Sequence, residues 1–380
     1  MRLERFLGCH SGVSNNRIIE ARESLLAEMV EKGLSQHPDQ SSMAIKAWKN
    51  RDKLSTAFLL ELPGPHNQWS SAEWGEALCL VLSLPPNCCR DPQKLGQPIG
   101  NRHVDLWGAE VMCATLPGGS WTCRHDRVKC AISSLAVYCG VIIVCEPYAV
   151  FSAHLPQRPL HHLQGHQARQ ALRPDFLLHL RSATGDMEQL IADVKTVSFG
   201  DKTFYKPGMQ GNKAVQLRAT RIGGEYQRTA LKVDQELGFA DGGPTLRKLQ
   251  GFPPVLDLVF GAYGECSDGV KSMLDSFGDS RLRTLGLAKG TPQALKELGQ
   301  VTGYLRRRLS SAVIRANVRC LLERMLMVGE GVGQAGRRRQ WARQEEEKAR
   351  WEREGQWLAR LTGRNLARKG DFPSPYLLIA

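Results

Sequence analysis

Arg173-Pro-Asp-Phe-Leu-Leu-His-Leu180 and Gln189-Leu-Ile-Ala-Asp-Val-Lys-Thr-Val-Ser-Phe199 are two apolar runs that carry charges where a buried strand rarely has them. The stretch between them, Ser182-Ala-Thr-Gly-Asp186, has the composition of a turn. Together they read as two strands of a hairpin. Alternate residues of a strand share a face, so Asp193 and Lys195 point the same way. A turn centred on Thr184 sets Asp175 opposite Asp193, with the side chains about 5 Å apart.

Working outward, residues 124–139 place Val128, Ala131, Ile132, Leu135 and Cys139 on one helical face, with Gly140 positioned to end the helix. Val141-Ile-Ile-Val-Cys-Glu146 is a β-branched run stopped by Pro147 and reads as a buried strand. A polar, His-rich loop covers residues 154–171. Downstream, residues 212–237 look helical, although Gly223-Gly224 should weaken or break that helix, at roughly 1 kcal/mol per glycine. Residues 255–260 form another short strand. The order α-β-β-β-α-β describes an α/β core spanning residues 121–265.

The flanks read as helical. Within residues 1–85, Ser70 or Ser71 caps a helix through Trp74, Ala77, Leu78 and Val81 that ends before Pro85-Pro86. Residues 86–120 are rich in Pro, Gly and Asn and read as an irregular linker. Residues 266–330 return to helix, with Arg306-Arg307-Arg308 opening its last segment. Residues 331–380 are a basic tail, in which positions 337–369 hold 11 Lys/Arg against 5 Asp/Glu. Trp341, Trp351 and Trp357 sit among those arginines, a mixture suited to phosphate contact with base stacking, or to a helix docking on its own domain. Gly331-x-Gly333-x-x-Gly336 follows a helical segment rather than a strand, so it reads as a linker and not a dinucleotide loop.

With 42% hydrophobic and 23% charged residues over 380 positions, the composition is globular. A formal net charge of +13 favours a polyanionic partner. The longest uncharged stretch, residues 130–145, has 16 residues, short of the ~20 that span a bilayer. The opening Met-Arg-Leu-Glu-Arg lacks an apolar signal region, which argues against secretion. Nucleic acid is therefore the expected partner, with no membrane. Eleven cysteines without any Cys-x-x-Cys read mostly as small buried hydrophobes of a reducing compartment. A scattered zinc site from Cys89, His103, Cys113 and Cys123 is the minor alternative.

Two aspartates repel unless a cation lies between them, and Mg²⁺ (or Mn²⁺) prefers carboxylate and water oxygens. Such an ion polarises a phosphate and acidifies a bound water, while Lys195 orients that water and offsets developing negative charge. Asp175, Asp193 and Lys195 thus make a workable phosphodiester hydrolysis site. The competing reading leaves Asp193 and Lys195 on the solvent face of an edge strand.

The arrangement resembles the PD-(D/E)XK nuclease superfamily, whose core is a restriction-endonuclease-like α-β-β-β-α-β unit with a mixed sheet. More specifically, it is similar to the nuclease regions of retroelement (non-LTR retrotransposon) proteins of algae and other protists. The similarity covers residues 45–325 and rests on Arg51-Asp-Lys-Leu-Ser55, Leu62-Pro-Gly-Pro65, Val104-Asp-Leu-Trp-Gly108, Leu116-Pro-Gly-Gly119, Arg124-His-Asp126 and Glu146-Pro147. It continues through Arg173-Pro-Asp-Phe176, Leu190-Ile-Ala-Asp-Val-Lys195, Gly224-Glu-Tyr226, Gly261-Ala-Tyr-Gly-Glu265 and Tyr304-Leu-Arg-Arg-Arg-Leu-Ser310.

The resemblance implies a Mg²⁺-dependent DNA endonuclease, associated with a reverse transcriptase and acting on DNA or on the RNA/DNA of a retroelement. The nucleus is the implied compartment, the cytoplasm the alternative. Asp175, Asp193 and Lys195 are the implied catalytic set, with Asp175 and Asp193 as metal ligands. His125, Asp126 and Glu146 match supporting positions, the alternatives being helix capping for Asp126 and a strand-end charge for Glu146. Tyr226 either contacts phosphate or packs on the sheet. Arg124, Arg173, Arg337, Arg338 and Arg339 are the expected nucleic-acid contacts. Only remnants of the Cys/His zinc knuckle of such proteins are found, and the Tyr-x-Asp-Asp reverse-transcriptase signature is missing, so a terminal piece or free-standing derivative is expected. The rivals are a non-catalytic nucleic-acid-binding module of the same fold and a decayed retroelement fragment.

Overall fold

The computed structural model describes Ser24 and residues 52–61, 68–82, 84–116, 120–147, 150–151, 172–181, 187–198, 211–240 and 242–328. Outside them lie the expected turn at 182–186, the His-rich loop, the glycine motif at 331–336, and the tail with Arg337, Arg338, Arg339 and its tryptophans.

A 3-10 turn at Ala57–Leu60 precedes helix α1 (Ser71–Val81). Ser70 caps α1: its hydroxyl accepts from Glu73 N, and the Glu73 carboxylate accepts from Ser70 N in return. The stretch expected to be irregular holds a 3-10 turn (Asn87–Cys89), a two-residue ladder of β1 (Pro98–Ile99) and β2 (Arg102–His103), and a short helix α2 (Ala109–Cys113). Helix α3 (Ser120–Tyr138) leads into strands β3 (Ile142–Cys145), β4 (Phe176–Arg181) and β5 (Met187–Thr196). Helix α4 (Gly211–Glu236), a short α5 (Pro244–Gln250) and strand β6 (Leu256–Phe260) follow, then helices α6 (Asp268–Thr284) and α7 (Pro292–Met325).

The α/β reading is borne out. Strands β3-β4-β5-β6 form one mixed sheet in that order, antiparallel across the first two pairings and parallel between β5 and β6. The β4/β5 register is the expected one: Phe176 pairs with Ala192 and Arg181 with Met187, which centres the connection on position 184. Continued by one residue, this register sets Asp175 against Asp193.

Period-2 alternation divides the sheet cleanly. Phe176, Leu178, Ala192, Val194, Leu258 and Phe260 join Val128, Ile132 and Leu135 of α3 and residues of α6 and α7 in one apolar cluster. Ile191 and Val259, on the other face, join Val215, Ala219, Ile222 and Tyr226 of α4. The sheet therefore has helices on both sides, and α6 and α7 share its core.

Three local expectations change. Strand β3 is an edge strand rather than a buried one: Ile142, at its start, is 51% exposed, because only β4 pairs with it. Helix α4 runs unbroken through Gly223 and Gly224, since its buried side chains hold it against the sheet and outweigh the glycine propensity cost. Helix α3 starts at Ser120, so Asp126 lies in its second turn and does not cap it. Gly140 does end α3, at φ +71°.

Candidate active site

The site lies where the C-terminal half of β5 meets the start of β4, under the first turns of α3. Asp193 and Lys195 point to the α4 face, and the Lys195 ammonium is 2.6 Å from Asp193 Oδ2. The other oxygen, Oδ1, accepts from the Tyr226 hydroxyl at 3.3 Å. Tyr226 is buried, and its hydroxyl is engaged on this carboxylate.

Asp175 is held from three directions. Its Oδ2 accepts from Val194 N at 2.8 Å and pairs with His125 Nε2 at 3.2 Å, while Oδ1 is 2.9 Å from the Lys129 ammonium. His125 Nε2 also lies 3.1 Å from the Val194 carbonyl oxygen, and His125 Nδ1 lies 3.3 Å from Asp126. Asp126 thus orients His125, in place of the capping role.

Glu146, at the end of β3, is the one non-glycine residue at positive φ (47°) among the described residues. A left-handed conformation costs on the order of 1 kcal/mol for such a residue, and here it coincides with polar contacts at the site. The Glu146 N–H donates to Asp175 O at 2.8 Å, its Oε1 is 2.8 Å from Lys129, and its Oε2 pairs with Arg173. Glu146 is therefore part of the site's charge network, more than a strand-end charge.

These contacts set the ionisation. Burial alone would raise Asp175, but hydrogen bonds and charge from His125 and from Lys129 outweigh it and hold the carboxyl well below its ordinary range. Burial raises Asp193; Lys195 opposes this, and the charge of the adjoining Asp175 carboxylate adds to it. His125 would be lowered by burial, yet Asp126 and Asp175 push it up to about 9, so it is an imidazolium at neutral pH. Burial and the Asp193 and Asp175 charges raise the Tyr226 phenol, keeping its proton on oxygen.

Of the expected residues, the structure brings together Asp175, Asp193, Lys195, Glu146, Asp126, His125, Tyr226 and Arg173. Arg173 engages Glu146. Arg124 is only 4% exposed and donates to Thr196 O at 3.1 Å, so a phosphate contact there requires its side chain to leave that position. Lys129 is the site residue that the sequence reading missed. The one signal available was its spacing of four from His125, which places both on the same stripe of α3 beside Val128 and Ile132.

The donor set suits a hard cation. Asp175 and Asp193 offer carboxylates at adjoining positions, at the start of β4 and in β5, and the Val194 carbonyl lies beside them. No group of three His, Cys, Asp or Glu side chains is arranged for a metal among the described residues, Cys89, His103, Cys113 and Cys123 included. An ion here would complete its shell with water, as Mg²⁺ commonly does. None of the helices in the described residues is long and apolar enough to cross a membrane. Comparison with protein-family models, with curated proteins and with solved structures finds no match to this chain.

Proposed function

We propose that the chain is a divalent-metal-dependent DNA endonuclease, hydrolysing phosphodiester bonds on a PD-(D/E)XK restriction-endonuclease-like core. The observation that carries this reading is a buried aspartate, Asp193, flanked by a second carboxylate, Asp175, and by the Lys195 ammonium at 2.6 Å. The helix, three strands, helix, strand order and the β5–β6 parallel pairing support it.

Asp175 and Asp193 would hold Mg²⁺ or Mn²⁺. Such an ion supplies Lewis-acid polarisation of a phosphate oxygen and lowers the pKa of a bound water. The chain's own groups do the rest. Lys195 is half-buried and reaches solvent, so its ammonium can hold the attacking water and neutralise charge on the phosphorane. His125, Lys129 and Val194 N fix the direction of Asp175, and Tyr226 fixes the rotation of Asp193. The net charge of +13 supports a polyanionic substrate, and a retroelement origin with a nuclear site of action is part of the proposal.

A second reading, a nucleic-acid-binding module that does not cut, draws on one observation: His125 and Lys129 already neutralise Asp175. Nicking of supercoiled plasmid in Mg²⁺ or Mn²⁺, with EDTA and Asp193→Ala controls, separates the two. Nicking that both controls abolish is expected. Salt-sensitive DNA binding without nicking would transfer the assignment to the binding module.

A further inference from the structure

We infer that the outer face of helix α4 is the surface that seats the sugar–phosphate backbone of duplex DNA, with Lys213, Arg221, Arg228 and Lys232 as its phosphate contacts. The inference rests on the nuclease reading above and adds the place where the substrate is held.

The two faces of α4 differ in character. Val215, Ile222, Tyr226, Ala230 and Val233 are buried in the core on the sheet side. At roughly 100° per residue, Lys213, Arg221, Gly224, Arg228 and Lys232 fall within a sector of about 100° on the other side. The four basic residues there are exposed, and among the described residues none of them forms an ion pair. The acids of the helix do not compensate them. Glu225 is 2.6 Å from Arg218, Asp234 is buried and accepts from Gly243 N, Thr245 N and Leu246 N, and Glu236 is the last residue. Arg228 and Lys232, four residues apart, repel each other. A polyanion on this face removes that repulsion and leaves no charge of its own unmet.

Gly223 and Gly224 supply an independent observation. Two glycines inside a helix lower its stability and normally answer to a packing constraint. Here the described residues impose none: a Cβ at Gly223 would meet nothing within 4 Å, and one at Gly224 only Arg228 Nη1, at 3.6 Å. Gly224 lies inside the basic sector, between Arg221 and Arg228. Its missing side chain leaves bare main chain where a phosphodiester strand can approach closely, a common use of glycine at ligand contacts.

The dimensions suit a duplex. At about 1.5 Å per residue, Lys213 to Lys232 spans roughly 28 Å, or about eight base pairs of DNA. Tyr226, between Arg221 and Arg228 in sequence, turns inward and donates to Asp193. DNA on the outer face is thus held roughly one helix diameter, about 10–12 Å, from the catalytic carboxylates.

The test is fluorescence anisotropy of a labelled DNA duplex with the full chain in EDTA, so that nothing is cut, over a series of salt concentrations. Arg221→Gln/Arg228→Gln/Lys232→Gln removes three charges and keeps good helix formers. It should bind at least about tenfold more weakly at low salt, and the slope of log affinity against log salt should shrink by about 2.7, the value for three phosphate contacts. If that variant does not fold, Arg228→Gln alone should shrink the slope by about 0.9. Arg283→Gln/Lys289→Gln/Lys296→Gln removes the same charge from exposed positions on and between α6 and α7, and should leave affinity nearly unchanged. Gly224→Gln should unfold at higher urea concentration than wild type and yet bind the duplex more weakly. Wild-type affinity in the folded α4 variant, or equal losses in both triple variants, would overturn the inference. Gly224→Gln binding as tightly as wild type would overturn the role of the glycine. Metal-dependent plasmid nicking by the wild type would leave the nuclease reading standing in each of these cases, whereas its absence would strike the reading itself.

Discussion

Glu265 ends the Gly261-Ala-Tyr-Gly-Glu265 turn after β6 and is fully buried, with one carboxyl oxygen accepting from Tyr263 N at 2.9 Å. The other oxygen has no hydrogen-bond partner, and a Cβ at Gly261 would collide with the carboxyl. Burial, reinforced by the Asp52 charge, pushes the group up from 4.5 to about 8. The folded state therefore holds a proton that the unfolded chain releases above pH 4.5. Its stabilising contribution is complete below pH 4.5, declines as pH rises, and is gone above about 8. At ~1.4 kcal/mol per unit, the interval corresponds to about 5 kcal/mol. Glu265→Gln keeps the acceptor for Tyr263 N and cannot ionise. Urea unfolding followed by circular dichroism at pH 5, 7 and 8.5 should show the variant gaining steadily on wild type as pH rises. Taking the difference between the two proteins removes the titration of His125, Asp175 and every other shared group. Parallel stability profiles for the two proteins would refute the assignment of a buried, proton-bearing carboxyl.

Other consequences are equally direct. Ser70→Ala should cost about 1 kcal/mol by loss of the capping box, whereas Ser71→Ala, one residue inside the helix, should be nearly neutral in the same unfolding assay. Gly140→Ala should destabilise by at least about 1 kcal/mol, because φ is +71° and the added Cβ would lie 2.6 Å from Thr284 Oγ1. Lys195→Ala should lower single-turnover DNA cleavage by about 10²–10³-fold, the usual effect of deleting one group that stabilises transition-state charge. DNA affinity measured in the same buffer should change little.

Local signals carried a large part of the fold. The β4/β5 register followed from two apolar runs and a turn composition, because a one-residue slip would send Asp193 and Lys195 to the opposite face. The α1 cap and the end of α3 were written in Ser70 and Gly140 for equally local reasons. What stayed hidden depends on contacts distant in sequence. Whether Val141–Glu146 lies inside the sheet or at its edge depends on which strands pair with it, and the run itself holds no record of that. Gly223-Gly224 looked like a break because propensity was the only visible quantity; the packing of Ile222 and Tyr226 on the sheet was not. Lys129 and Arg124 were obscured by a shared cause. A basic residue on a helix usually faces solvent or a phosphate, but here α3 turns both inward, Lys129 onto Glu146 and Asp175 and Arg124 onto Thr196 O.

The central claim concerns three side chains, so the decisive comparison is the nicking rate of supercoiled plasmid in Mg²⁺ for wild type, Asp175→Asn, Asp193→Asn and Lys195→Ala, each checked for native circular dichroism and DNA binding. A metal-dependent wild-type rate that each of the three folded, DNA-binding variants loses is the expected result. Nicking that persists at the wild-type rate in Asp193→Asn would place the chemistry elsewhere and contradict the account.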